Sequence, residues 1–142
     1  VDMARQHGMA VNVYNMIGFP SETLADHEET IKVNRRVCPD RSMNSIFFPY
    51  PGTDLFETCK AAGLITDRST TLERSRATLD FPGFSKRQIQ RAYNWFEFRI
   101  YRGRRPWHYR IRQVASKKVA SYKWSAVVSS RLLPLWHAVH TK

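Results

Sequence analysis

The stretch Met9-Ala10-Val11-Asn12-Val13-Tyr14-Asn15-Met16-Ile17-Gly18-Phe19-Pro20-Ser21-Glu22-Thr23, MAVNVYNMIGFPSET, decides how this chain is read. Its first nine residues are apolar and β-branched in character and lie between Gly8 and Gly18, which predicts a buried strand over Met9–Ile17. The run then stops at Gly-Phe-Pro and resumes at once as a helix start. Thr23 is placed to be an N-cap with Asp26 three residues on, a capping box with acidic residues crowding the first turns. A strand that ends in a tight turn and leads directly into a helix fits the carboxyl end of a parallel strand. That is where α/β folds keep their ligands.

Working outward, Val1–Gly8 reads as the end of a helix that Gly8 stops. Beyond Thr23, Leu24, His27, Ile31, Asn34 and Val37 trace one stripe of an amphipathic helix, which Pro39 terminates. Arg41–Phe48 makes a second strand, so strand, helix and strand form a βαβ unit with parallel neighbours. The rigid turn Pro49-Tyr50-Pro51-Gly52-Thr53 follows, then a short helix over Asp54–Ala62 with Asp54 and Glu57 as cap residues. Gly63 and Leu64 suit a Schellman ending. Residues 65–84 are polar and irregular. Ser85 and Gln88 form a second capping box, with Phe84 and Ile89 at the staple positions. Ile89, Ala92, Tyr93, Phe96 and Ile100 give that helix its apolar face, and Gly103 stops it. Past Arg104 the periodicity decays into a mixture of aromatics, bases and short apolar runs.

With 142 residues and 42% hydrophobic content, the chain can bury a core and is not a disordered sequence. Its net charge of +11 is unevenly placed. Residues 1–84 carry 9 Lys+Arg and 11 Asp+Glu, a net of −2, whereas residues 85–142 carry 14 and 1, a net of +13. The second part therefore seeks an acidic partner or a membrane surface. No signal peptide is discernible, and no apolar run approaches the roughly 20 residues that span a bilayer. Cys38 and Cys59 match neither a disulfide framework nor a zinc pattern, which points to free thiols in a reducing, cytoplasmic setting.

Neither strand-end turn, GFPS or PYPGT, supplies a nucleophile, an acid–base pair or a phosphate cradle. The residues alone allow a binding platform, with glycine admitting a flat ligand and proline fixing the turn, or two ordinary tight joints. A resemblance favours the platform. Met16-Ile17-Gly18-Phe19-Pro20-Ser21-Glu22-Thr23, Thr30-Ile31, Pro39-Asp40, Pro49-Tyr50-Pro51-Gly52-Thr53-Asp54-Leu55 and Ala62-Gly63-Leu64-Ile65, preceded by Ala4 through Gly8, resemble in order and spacing the last part of the barrel of radical S-adenosylmethionine enzymes. The likeness is closest to the branch with an N-terminal cobalamin-binding domain. Phe84-Ser85 to Tyr101 is similar, more weakly, to the helix after that barrel; the tail from Arg102 has no counterpart.

The resemblance implies an α/β fold: the distal end of a partial, six-stranded (β/α) barrel over residues 1–65 and a post-barrel linker and helix over 66–103. Composition and charge, not the resemblance, add a mostly helical, basic amphipathic tail over 104–142. The resemblance also implies that Met16, Ile17, Gly18, Phe48 and Pro49 lie near the adenine of S-adenosylmethionine, with Tyr50 at the rim. Where the family usually has Gly, this chain has Ser21, which would stiffen the turn. The parent would cleave the cofactor reductively to a deoxyadenosyl radical for methylation, cyclisation or a related step. That chemistry needs a CxxxCxxC loop for an iron–sulfur cluster, which Cys38 and Cys59 cannot supply. The chain is thus expected to be a C-terminal fragment, inactive alone, whose partners are the missing barrel strands and a cobalamin domain.

Other constellations are weaker. His137 and His140 share a face but have no third ligand, so no metal site is expected. Glu28 and Glu29 read as solvated dipole complement. For the basic region, residues 99–142, three readings stand. Arg99, Arg102, Arg104, Arg105, Arg110 and Arg112 interleaved with Tyr101, Trp107 and Tyr109 suit nucleic acid. Trp124, Val127, Val128, Leu132, Leu135 and Trp136 with Lys123, Arg131 and Lys142 suit a headgroup layer. A tail packed on the parent's other domains suits both. The rival to the enzyme reading is a non-catalytic basic module that uses this region alone.

Overall fold

Thr23 and Ser85 start the two helices on which the fold is built, and both do so through side-chain capping. The computed structural model of the chain describes residues 1–65 and 75–121. Over these the element order is α1 (Asp2–Gln6), β1 (Asn12–Ile17), α2 (Leu24–Val37), β2 (Arg41–Ile46), α3 (Asp54–Ala61), α4 (Lys86–Ile100) and α5 (Trp107–Ser121). The result is a mixed α/β arrangement of five helices and a two-stranded sheet.

Both expected capping boxes form: Thr23 with Asp26, and Ser85 with Gln88. Each satisfies N–H groups that a helix start would otherwise leave unpaired. The strands pair in parallel with Asn12 opposite Arg41 and Ile17 opposite Ile46, as a βαβ connection through α2 requires. α3 closes with a Schellman ending, since Leu64 N–H donates to the Cys59 carbonyl at 2.9 Å and Gly63 N–H to that of Lys60 at 3.0 Å. The cap at its start differs from expectation. Thr53 is the N-cap, its hydroxyl accepting from Phe56 N–H, while Asp54 and Glu57 occupy the first turn.

α2 and α4 pack on each other and on one face of the sheet. One core runs through Ile17, Ile31, Ile46, Phe84, Ile89 and Phe96, joining the βαβ unit to α4. All five residues expected on the apolar face of α4 are buried. Of the α2 stripe, His27, Ile31 and Asn34 are buried, whereas Leu24 is exposed. Tyr101 closes the lower end of the core, its hydroxyl donating to the Pro39 carbonyl at 3.0 Å. Burial pushes the Tyr101 phenol up to about 12.

α5 is a helix that the decayed periodicity did not define, and it packs on α4. The reason is visible in its inner side chains, which touch α4 with charge rather than with a clean apolar stripe. Lys117 reaches the Glu97 carboxylate and lies 4.3 Å from the Tyr93 ring centroid, and Arg110 covers the Phe98 ring. Among the described residues no helix is long and apolar enough to cross a membrane. The apolar and histidine positions of the tail from Lys123 onward lie outside the described residues.

Candidate functional site at the strand ends

The turn after β1 is held by a carboxylate. Gly18 and Phe19 N–H both donate to Glu22 Oε2, at 2.5 and 3.0 Å, and Glu22 N–H returns to the Phe19 carbonyl at 3.0 Å. Burial raises the Glu22 carboxyl above the ordinary carboxylate range, against the pull of those two N–H donors. Ser21, at the position where the resembled family usually has glycine, has φ +69°, the left-handed region that favours glycine. The clamp by Glu22 was missed from sequence, although a carboxylate four residues past a strand-ending glycine is a usable signal.

The six expected site residues fall in different surroundings. Met16 is 46% exposed on the sheet face away from the helices. Ile17 points the other way, fully buried in the core. The room that Gly18 leaves is filled from within the chain: a Cβ there would lie 3.0 Å from Ile89 Cγ2. Pro49 is buried and Phe48 half-buried. The Phe48 ring meets that of Tyr50 edge-on at 5.0 Å, and Tyr50 is 41% exposed at the rim. Phe19 stacks on Phe47 at 5.1 Å, tying the two turns together.

The two faces of the sheet differ in a way that alternation alone does not predict. On the helix side, Asn15 and Asn44 are register partners and hydrogen-bond at 3.2 Å. Asn34 of α2 donates to Asn15 Oδ1 at 2.9 Å, and Asn44 donates to Glu97 of α4 at 2.5 Å. Glu97, 5% exposed, in turn takes Lys117 of α5 at 2.5 Å. Burial lowers the Lys117 ammonium from its ordinary value, with Glu97 opposing. This polar chain links α2, the sheet, α4 and α5 and was not foreseen. Asparagine at matched positions in both strands is its only trace in the sequence. The opposite face bears Tyr14, Met16 and Met43, all largely exposed.

A groove of about 490 Å³ runs between α2 and α4 beside Glu28, Arg91, Trp95 and Arg99. Glu28 is not simply solvated as expected. It is half-buried and holds the Arg99 guanidinium through both carboxylate oxygens, which keeps its carboxyl below the ordinary range. Arg99 is therefore engaged within the fold. His27 also lines this groove, 1% exposed between Phe84 and Phe96, and neither ring nitrogen has a partner among the described residues. Burial, helped by Arg99, lowers its pKa.

Chemically, the strand ends offer an apolar, partly aromatic surface and no acid–base pair. Among the described residues no three His, Cys, Asp or Glu side chains converge as metal donors. Cys59 is fully buried and its thiol is pushed up by burial; Cys38 is half-buried at the end of α2. Compared with models of known protein families and with characterised proteins, the chain matches none.

Proposed function

We propose that this chain is the distal barrel portion of a radical S-adenosylmethionine enzyme of the cobalamin-binding branch, contributing the adenine side of the cofactor site. One observation carries the reading. Among the described residues the helices cover one face of the parallel sheet, while the other face presents Tyr14, Met16 and Met43 exposed, with Met16 at the carboxyl end of its strand. A two-stranded parallel sheet bare on an apolar side is what one sector of an α/β barrel looks like when its neighbours are absent.

The residues fit part of the implied chemistry. Met16 and the Phe48–Tyr50 ring pair suit the face and edge of a purine. Ile17 and Gly18 serve the same strand end from beneath, by fixing the turn against α4. The iron–sulfur cluster does not fit this chain, because Cys38 and Cys59 are its only thiols and each is engaged in packing. In this reading its ligands, like the cobalamin site, belong to residues upstream of Val1. The parent would carry out reductive cleavage to a deoxyadenosyl radical and hydrogen abstraction from a substrate for methylation or cyclisation; the chain alone would be inactive.

The test is the coding sequence upstream of Val1. An in-frame CxxxCxxC preceded and followed by further βα units is the expected result. An initiator codon directly before Val1 would refute the reading and leave the basic module as the working description.

A further inference from the structure

We propose that the outer face of α5 is a docking surface for an anionic phospholipid bilayer. Four apolar residues recur every fourth position along that helix: Trp107, Ile111, Ala115 and Val119. All four are exposed, Trp107 at 68%, Ile111 at 43% and Val119 at 63%. A spacing of four winds them into one slanting stripe on the side away from α4. The inner side is already occupied, since Tyr109, Val114 and Lys117 face the core and Glu97.

Charge selects the partner. From Phe98 to Lys142 the chain has 11 Lys+Arg and no Asp or Glu. The bases near α5 divide into two sets. Arg105 donates to the Asp40 carbonyl and covers the Tyr101 and Tyr109 rings, Arg110 covers Phe98, Lys118 lies 5.8 Å from the Trp95 ring centroid, and Lys117 pairs with Glu97. Arg112 instead lies exposed on α5 next to Ile111, and Arg104 is exposed in the turn that leads into the helix. An apolar stripe with bases along it matches a headgroup layer, where side chains enter the acyl boundary while cations stay with phosphates. Nucleic acid fits less well. Base stacking needs a succession of flat side chains, and after Trp107 the stripe is aliphatic. The inference does not depend on the enzyme reading, because α5 lies outside the sheet and its turns.

The experiment is flotation of the full 142-residue chain with vesicles of phosphatidylcholine alone and of phosphatidylcholine mixed with phosphatidylglycerol. Binding to the mixed vesicles only is expected. Trp107→Ser with Ile111→Ser should lower the partition coefficient about tenfold or more, through lost apolar burial. Arg104→Gln with Arg112→Gln should lower it about 25-fold at low salt, from about fivefold per lost charge near the surface. All four side chains are exposed, so circular dichroism of the variants should match that of the parent chain. No binding to anionic vesicles would overturn the proposal. Unchanged binding by both double variants would also overturn it, by moving the contact to residues beyond α5. Binding of oligouridine that falls steeply with salt, without binding to vesicles, would assign the surface to nucleic acid instead.

Discussion

Gly18→Ala is expected to destabilise the chain by about 2–4 kcal/mol, and the figure can be built from two separable causes. The first is backbone conformation. Gly18 has φ +86°, where a Cβ meets the following carbonyl at a cost of about 1–2 kcal/mol. The second is space. The new methyl would lie 3.0 Å from Ile89 Cγ2 and 3.2 Å from Cδ1. Ile89 is 1% exposed within the core and has little room to retreat, so overpacking adds about 1–3 kcal/mol. A stiffer unfolded chain returns about 0.5–1 kcal/mol. The double-mutant cycle with Ile89→Ala separates the terms. That truncation costs about 2–5 kcal/mol alone, yet it removes the clash, so adding Gly18→Ala should then cost only about 1 kcal/mol. Urea denaturation of the four chains, with midpoint and slope compared, reads the coupling. Additive effects, or a Gly18→Ala chain within about 0.5 kcal/mol of the parent, would refute the argument that Gly18 exists to seat α4 on the strand end.

Two further outcomes test the interior. Glu97→Gln keeps an acceptor for Asn44 but strips Lys117 of its counter-charge where the side chains are only 7% and 13% exposed, so a loss of about 3 kcal/mol is expected. Adding Lys117→Met should recover at least half of it in the same denaturation assay, and no recovery would show that the ion pair is not the cause. His27→Leu should stabilise the chain by about 1–2 kcal/mol at neutral pH, because it deletes two buried polar atoms that have no partner among the described residues. The pH dependence follows from the depressed folded pKa. Below the ordinary value of 6.5 the unfolded chain takes up the proton that the folded imidazole refuses, so stability is full above 6.5 and falls as pH drops below it. Parallel stability curves for parent and His27→Leu between about pH 5 and 6.5 would sink this account.

What was legible in the sequence is what local chemistry dictates. Thr23 with Asp26 and Ser85 with Gln88 satisfy their own helix starts, so the signal and the structure are the same few atoms. The α4 face was readable because five apolar residues at helical spacing have one place to go. Sites defined by partners distant in sequence were not readable. Glu28 seemed solvated until Arg99, 71 residues on, is brought against it. α5 packs through Arg110 and Lys117, so its inner face imitates a solvated one in any periodicity count. Gly18 was assigned a role in admitting a ligand, and only the approach of Ile89 reveals what fills that space.

The sheet also inverts the usual relation between burial and polarity. A self-sufficient sheet with one covered face places its apolar residues beneath the helices and its polar ones in water. Here both strands present Asn15, Ser42 and Asn44 to the helices, where among the described residues they are satisfied by one another, Asn34 and Glu97. The face left open carries Tyr14 at 73%, Met43 at 54% and Met16 at 46% exposure. Exposed apolar residues scattered singly would call for no explanation, but these three lie adjacent across a parallel register, Tyr14 opposite Met43 and Met16 next along its strand. At the other end of that face stand Asn12 and Arg41. On that face the apolar side chains thus occupy the middle pair and Met16, whose register partner is Ser45. A contiguous exposed apolar patch on one sheet face is better matched to a partner than to water, and this asymmetry, rather than any single motif, is the physical ground on which the proposed site at the strand ends rests.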